Sequence, residues 1–163
     1  MTQQLLDLAG IGRRRLHLAW VSSAEAQRFV DIVCETVETL KVLGPLEHRR
    51  FAMALEACEM TVAGESIRWL VGKQVGIIAK GDVYGRTWDP ERYLSVLNNE
   101  LEKAYQENMI CLAVKAGCTS VRAISRTIGV DLMRVSYLMA DLERTGRIEF
   151  KGMEDRKPVF AAL

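Results

Sequence analysis

The sequence predicts a mainly α-helical chain that opens on a small α/β fragment and closes on a winged helix-turn-helix. Three observations predict it. An apolar run at residues 16–21, rich in strand-forming types, passes through Ser22-Ser23 into a helix-spaced stretch ended by Gly44-Pro45. From Leu46 to Leu101 apolar residues recur mostly at helical spacing. From Met109 onward, helix, short helix, turn, longer helix and two short strands follow in order, with glycines at the helix stops.

Residues 2–8 lean apolar and read as the last turns of a helix, broken by Gly10-Ile11-Gly12. Arg13-Arg14-Arg15 leads into the expected strand at 16–21, and a solvated turn is the favoured reading of that basic run over an acidic or nucleic-acid contact. Ser22-Ser23-Ala24-Glu25 fits a capping box, in which a serine hydroxyl takes an orphan amide and the glutamate three residues on reaches back. In the helix that follows, Ala26, Phe29, Val33, Val37 and Leu40 form one apolar face, widened by Val30. Gly44 then Pro45 stop it. A strand feeding a capped helix is half of an α/β unit, and it needs partner strands.

Residues 46–64 read as a helix with Phe51, Leu55, Cys58 and Val62 on one face, widened by Met53, Ala54, Ala57 and Met60. Residues 65–80 are helix-compatible as well, with Ile67, Leu70, Val71, Val75 and Ile78 apolar. Gly81-Asp82-Val83-Tyr84-Gly85 is a turn-rich loop without the glycine spacing or terminal Lys-Ser/Thr of a phosphate loop. Asp89-Pro90 starts a helix through Tyr93, Leu94, Leu97 and Leu101, with aspartate as cap and proline in the first turn. Residues 109–116 end an apolar helix closed by Gly117.

Residues 119–129 then read as a short capped helix and 130–145 as a longer one, with Leu132, Val135, Leu138, Met139 and Leu142 inward. Two strands, 147–150 and 158–160, flank a charged turn at 151–157. The expected division is 1–46 for the α/β fragment, 47–103 for a helical linker region and 104–163 for the winged-helix unit. From Met109 onward nine Lys and Arg stand against six Asp and Glu. In the helix that would enter a groove, however, Asp131, Asp141 and Glu143 oppose Arg134 and Arg144. Acidic groups there work against phosphate contact, so protein docking is favoured over DNA binding.

Arg15-Leu16 with Leu18, Ala19-Trp20-Val21-Ser22, Ala24-Glu25, Arg28-Phe29 and Leu43-Gly44-Pro45 resembles the end of the delta subunit of methyl-viologen-reducing hydrogenase. The resemblance covers roughly residues 5–45. Arg68-Trp69-Leu70-Val71-Gly72-Lys73 and Lys80-Gly81-Asp82-Val83-Tyr84-Gly85 echo the tail of longer members. The resemblance implies electron transfer through a two-iron two-sulfur cluster. The donor would be a hydrogenase, formate dehydrogenase or NADH-oxidising module, and the acceptor a heterodisulfide-reductase-like flavoprotein. The family's cluster cysteines lie ahead of this strand, so the cluster-bearing half is expected on another chain or upstream of Met1.

The 163 residues are 49% apolar, which fits a folded chain, and carry a net charge of +1, which argues neither for nor against a polyanionic partner. No apolar run reaches the ~20 residues needed to span a bilayer. The arginines follow the apolar part of the N-terminus, the reverse of a signal peptide, so a cytoplasmic location is expected. Cys34, Cys58, Cys111 and Cys118 form no C-x-x-C and stand apart from His17 and His48. Buried thiols explain them better than cluster ligation, and no cofactor or metal is expected on this chain by itself. No catalytic residues stand out. Trp20, Tyr84, Trp88, Arg134 and Tyr137 are the candidate docking residues; Tyr84 and Trp88 are aromatic in an otherwise polar stretch, which suits a docking surface and equally a loop folded back on its own helices. The expected function is an accessory or split subunit of an electron-transfer oxidoreductase complex, and the alternative is a winged-helix transcriptional regulator.

Overall fold

A computed structural model describes residues 1–154 and 157–162. Its helices are α1 (Thr2–Leu8), α2 (Ala26–Leu43), α3 (His48–Ala63), α4 (Glu65–Ala79), α5 (Pro90–Lys115), α6 (Val121–Ile128) and α7 (Leu132–Arg144). A 3₁₀ turn, Arg13–Arg15, lies between the first two. Strands β1 (Ile148–Glu154) and β2 (Lys157–Ala162) pair antiparallel, so the described chain is mainly helical with one two-stranded sheet.

The long helix α5 is the element on which the others pack. Asp89 caps it by accepting from the Arg92 amide at 2.7 Å, with Pro90 in the first turn. The two helical stretches expected on either side of residue 103 are one helix of 26 residues. Nothing between Leu101 and Met109 breaks helical spacing, and Leu101, Tyr105, Asn108 and Leu112 continue a single buried face. Its first turns pack Tyr93 and Leu97 against Leu70 of α4. Farther along, Leu101, Tyr105 and Leu112 meet Leu5 and Ala9 from the chain start, Ala57 of α3 and Ile67 of α4. Its last turns place Ile110, Cys111, Ala113 and Val114 against Ile124, Val135, Leu138, Met139, Leu142 and Ile148.

In α3 the face turned to the core is centred on Ala57 and Thr61, with Met53, Ala54, Cys58 and Met60 beside them; Val62 is exposed. Small residues at the centre let α3 and α5 approach closely. In α4, Ile67, Leu70 and Ile77 are buried while Val71 and Val75 face out. The C-terminal helices end and start largely where expected. Ser120 accepts from the Ala123 amide at 3.3 Å, and Asp131 from those of Met133 and Arg134. Gly129 closes α6 in the left-handed conformation, φ 68°, which favours glycine. Leu132, expected inward, is exposed because it opens α7 ahead of the buried face. β1 continues through the expected charged turn to 154, with a bulge at Lys151 between the Phe150–Phe160 and Gly152–Val159 pairs.

The N-terminal α/β fragment does not form as expected. Residues 16–21 form no strand: Leu16 is extended, but the segment is unpaired, because a strand exists only beside another and the one described sheet is complete with β1 and β2. Residues 17–21 make no hydrogen bond among the described residues. The capping box is half formed. Glu25 Oε2 accepts from the Ser22 amide at 2.8 Å, but Ser22 Oγ reaches only the Ala24 amide, at 3.4 Å, and the helix starts at Ala26.

Candidate functional site

Helix α2 buries none of its residues. Its apolar face, read from sequence as inward, looks outward: Phe29 is 59% exposed, and Val30, Val33, Val37 and Leu40 are also exposed. Ile32, Thr36, Thr39 and Leu43 are the half-covered side. The helix is held at its C-terminus by Arg15, whose guanidinium donates to the carbonyls of Gly44 (2.9 Å) and Leu43 (3.1 Å). Those carbonyls lack intrahelical donors and carry the negative end of the helix dipole, which is where a cation binds best. Asp7 fixes the preceding turn through the Arg13 amide and guanidinium, and the backbone and side-chain bonds to Arg13 hold its carboxyl below the usual range. Trp20, at 93% exposed, stands on the unpaired segment beside this helix. Single apolar residues at a surface are ordinary, but a whole amphipathic face together with an unpaired segment marks a surface meant to be covered.

The second exposed region is the loop between α4 and α5, organised by Asp82. Its Oδ1 accepts from the amides of Tyr84 (2.9 Å) and Arg86 (3.1 Å), and its Oδ2 from Arg86 Nε (3.2 Å) and Trp88 Nε1 (3.4 Å). Desolvation alone would raise this carboxyl, but the hydrogen bonds from the Arg86 and Tyr84 amides and the Trp88 indole, with the Arg86 charge, outweigh it and hold it low. Gly81 has φ +94°, and a Cβ there would come within 2.8 Å of the Gly85 carbonyl carbon, so only glycine fits. Trp88 is folded back among Leu70, Tyr93 and Leu97, with the Arg92 guanidinium 4.8 Å from its ring centre. Tyr84 remains exposed, with Arg86 4.9 Å over its ring.

On α7, Tyr137 is 65% exposed beside exposed Met133. Arg134 turns the other way, its Nε donating to Gln106 Oε1 of α5 at 2.9 Å. Of the candidate docking residues, Trp20, Tyr84 and Tyr137 are therefore open, while Trp88 and Arg134 are engaged within the chain. Tyr84 and Trp88 share the Asp82 loop, Arg134 and Tyr137 share α7, and Trp20 stands apart on the segment before α2. Asp82 itself was missed in the sequence, although an aspartate between glycines is a turn signal.

A buried polar chain links the helical body to the C-terminal unit. Thr61 Oγ1 donates to the Ala57 carbonyl and accepts from Asn108 Nδ2 at 2.9 Å. Arg147 then donates to Asn108 Oδ1 (2.5 Å) and Glu107 Oε2 (3.2 Å). Lys103 joins Glu107 and Asp141. Desolvation raises the Glu107 carboxyl, against the lowering pull of Lys103 and Arg147.

All four cysteines are free thiols. Cys34 is exposed on α2, which corrects the expectation that it is buried and follows from α2 burying nothing. Cys58 donates to the Leu5 carbonyl from α3, and burial pushes its thiol up to about 11. Cys111 is buried in the C-terminal core, its thiol also raised by desolvation, and Cys118 lies 3.4 Å from Thr127 Oγ1. Iron–sulfur ligation needs thiolates gathered in one place. Cys34, Cys58 and Cys111 stand on three different helices, and burial raises the Cys58 and Cys111 thiols.

Residues 1–44 match the family described as methyl-viologen-reducing hydrogenase, delta subunit. This segment, ending with α2, is therefore similar to part of a hydrogenase-associated electron-transfer subunit, as its residues led us to expect. The echoes at 68–73 and 80–85 lie outside the matched residues. No solved structure matches the chain. Among the described residues no helix is long and apolar enough to cross a membrane.

Proposed function

We propose that this chain is an accessory or split subunit of an electron-transfer oxidoreductase complex. It joins a donor module, a hydrogenase, formate dehydrogenase or NADH-oxidising unit, to a heterodisulfide-reductase-like flavoprotein. The observation that carries this reading is the unpaired segment and uncovered α2, which fall within the residues that match the delta-subunit family. The two-iron two-sulfur cluster belongs to a separate half that covers this surface, because Cys34, Cys58 and Cys111 of this chain stand on three different helices. Residues 104–163 act as a winged helix that docks protein. Arg134, the central cation of its second helix, is committed to Gln106, and the exposed side chains beside it, Met133 and Tyr137, are apolar or aromatic. The complex works in the cytoplasm.

Anaerobic co-expression with the cluster-bearing chain and the flavoprotein tests the proposal. A stoichiometric complex is expected, with electron transfer to the flavin that depends on this chain. A complex that assembles and turns over equally well without it would overturn the reading.

A further inference from the structure

We propose that the groove between α6, α7 and β2 binds an acidic peptide segment of a partner protein, its carboxylates on Arg122 and Arg126 and its apolar side chain against Val121, Leu132 and Pro158. The cavity there has a volume of about 470 Å³, within the ~300–1,000 Å³ of clefts that hold small ligands. Among the described residues no acidic side chain lines it. Arg122 and Arg126 are one turn apart on α6 and so project from the same side. Both are exposed, and neither joins an ion pair or hydrogen bond among the described residues. The contrast with other arginines is plain: Arg13, Arg28, Arg86, Arg144 and Arg147 each hold a carboxylate. Arginine forks bind carboxylates in a planar, two-bond geometry stronger than neutral hydrogen bonds.

The walls decide the kind of ligand. Val121, Ala123, Leu132 and Pro158 give an apolar lining that a small inorganic anion would leave uncovered, and exposed Ser136 adds a hydroxyl from α7. Pro158 has no amide to donate, so recognition there runs through side chains rather than strand addition. The groove is braced, since the Phe160 amide donates to the Thr119 carbonyl at 3.2 Å and Ser125 Oγ to the Val130 carbonyl at 2.7 Å. A DNA duplex would lie along α7, where Asp131 and Glu143 are exposed and Arg134 is turned away. Neither of those acids is among the described residues that line the groove. The inference rests on the protein-docking reading of residues 104–163 and names the partner's chemistry; peptide binding reads this groove alone, whereas assembly of the complex reads the electron-transfer proposal.

The test uses the full chain with fluorescein-labelled acetyl-Glu-Leu-Asp-Leu-Glu-amide and its Gln/Asn counterpart, followed by anisotropy and amide NMR. The acidic peptide is expected to bind at least tenfold more tightly and to shift the amides of Val121, Ala123 and Leu132. The double variant Arg122→Glu/Arg126→Glu should lose that binding and instead take up acetyl-Lys-Leu-Lys-Leu-Lys-amide. Both positions are exposed, and circular dichroism checks that the variant remains folded. Equal affinity for the acidic and neutral peptides, or shifts confined to other elements, would overturn the proposal. So would a random-sequence DNA duplex that displaces the acidic peptide through the same two arginines.

Discussion

Replacing Phe29 by serine separates a helix that is finished from one that awaits a partner. In the free chain Phe29 is 59% exposed and belongs to no buried cluster. Surface substitutions of that kind change stability by roughly half a kcal/mol or less. Complete burial of a phenylalanine is worth up to ~3 kcal/mol, so about six-tenths of it, or ~1.5–2 kcal/mol, is still to be gained when a partner covers α2. That corresponds to a loss of about ten- to thirtyfold in affinity for Phe29→Ser. Urea unfolding of the isolated variant should leave the midpoint nearly unmoved. Titration of the cluster-bearing chain should show the weakened complex. The reasoning is refuted if the variant destabilises the free chain by more than ~1 kcal/mol, or if the complex forms with undiminished affinity.

Arg147→Met leaves the buried Asn108 carbonyl oxygen without its donor and the Glu107 carboxylate with Lys103 alone, and should cost about 2–4 kcal/mol in urea unfolding, chiefly from the unsatisfied Asn108. Adding Asn108→Leu to that variant should recover part of the loss, and strict additivity of the two would argue against a shared network. Because the Asp82 carboxyl is held below its unfolded value, its contribution is present above the ordinary carboxylate range and disappears as pH falls through the folded value. Trp88 fluorescence should report the loop loosening in acid, and Asp82→Asn should remove that step. Purified anaerobically by itself, the chain should carry no stoichiometric iron or sulfide; a reproducible cluster would contradict the reading of its thiols.

The elements that need only local chemistry were legible in the residues. Asp89-Pro90, Ser120 and Asp131 each begin a helix as aspartate, proline and serine should, and Gly44 and Gly129 end one. The Phe150–Phe160 edge contact, with ring centres 5.7 Å apart, joins the two strands expected at the C-terminus. What periodicity does not encode is which covered face a stripe will find. Phe29, Val33 and Val37 make a regular apolar face, and the same spacing serves a core or a partner. Residues 16–21 show the limit for strands, since strand-forming residues specify an extended backbone but not the neighbour that completes it. Of the candidate docking residues, Trp20, Tyr84 and Tyr137 are exposed. That Arg134 would pair with Gln106, and that Trp88 would return to Asp82, depended on contacts 28 and 6 residues apart in the chain.

Helix α5 has a consequence for how the molecule comes apart. At ~1.5 Å per residue its 26 residues form a rod of about 39 Å. Along that rod Tyr93 and Leu97 serve one cluster, Leu101 and Tyr105 a second, and Ile110 and Val114 a third. Unwinding any stretch of it strips a wall from at least one cluster and loosens the turns that support the next. The packed parts of the chain should therefore melt in a single calorimetric transition, with α2 fraying beforehand at lower temperature. A pull on the C-terminal sheet would likewise be transmitted along this rod toward the Asp82 loop, as load along a shared axle.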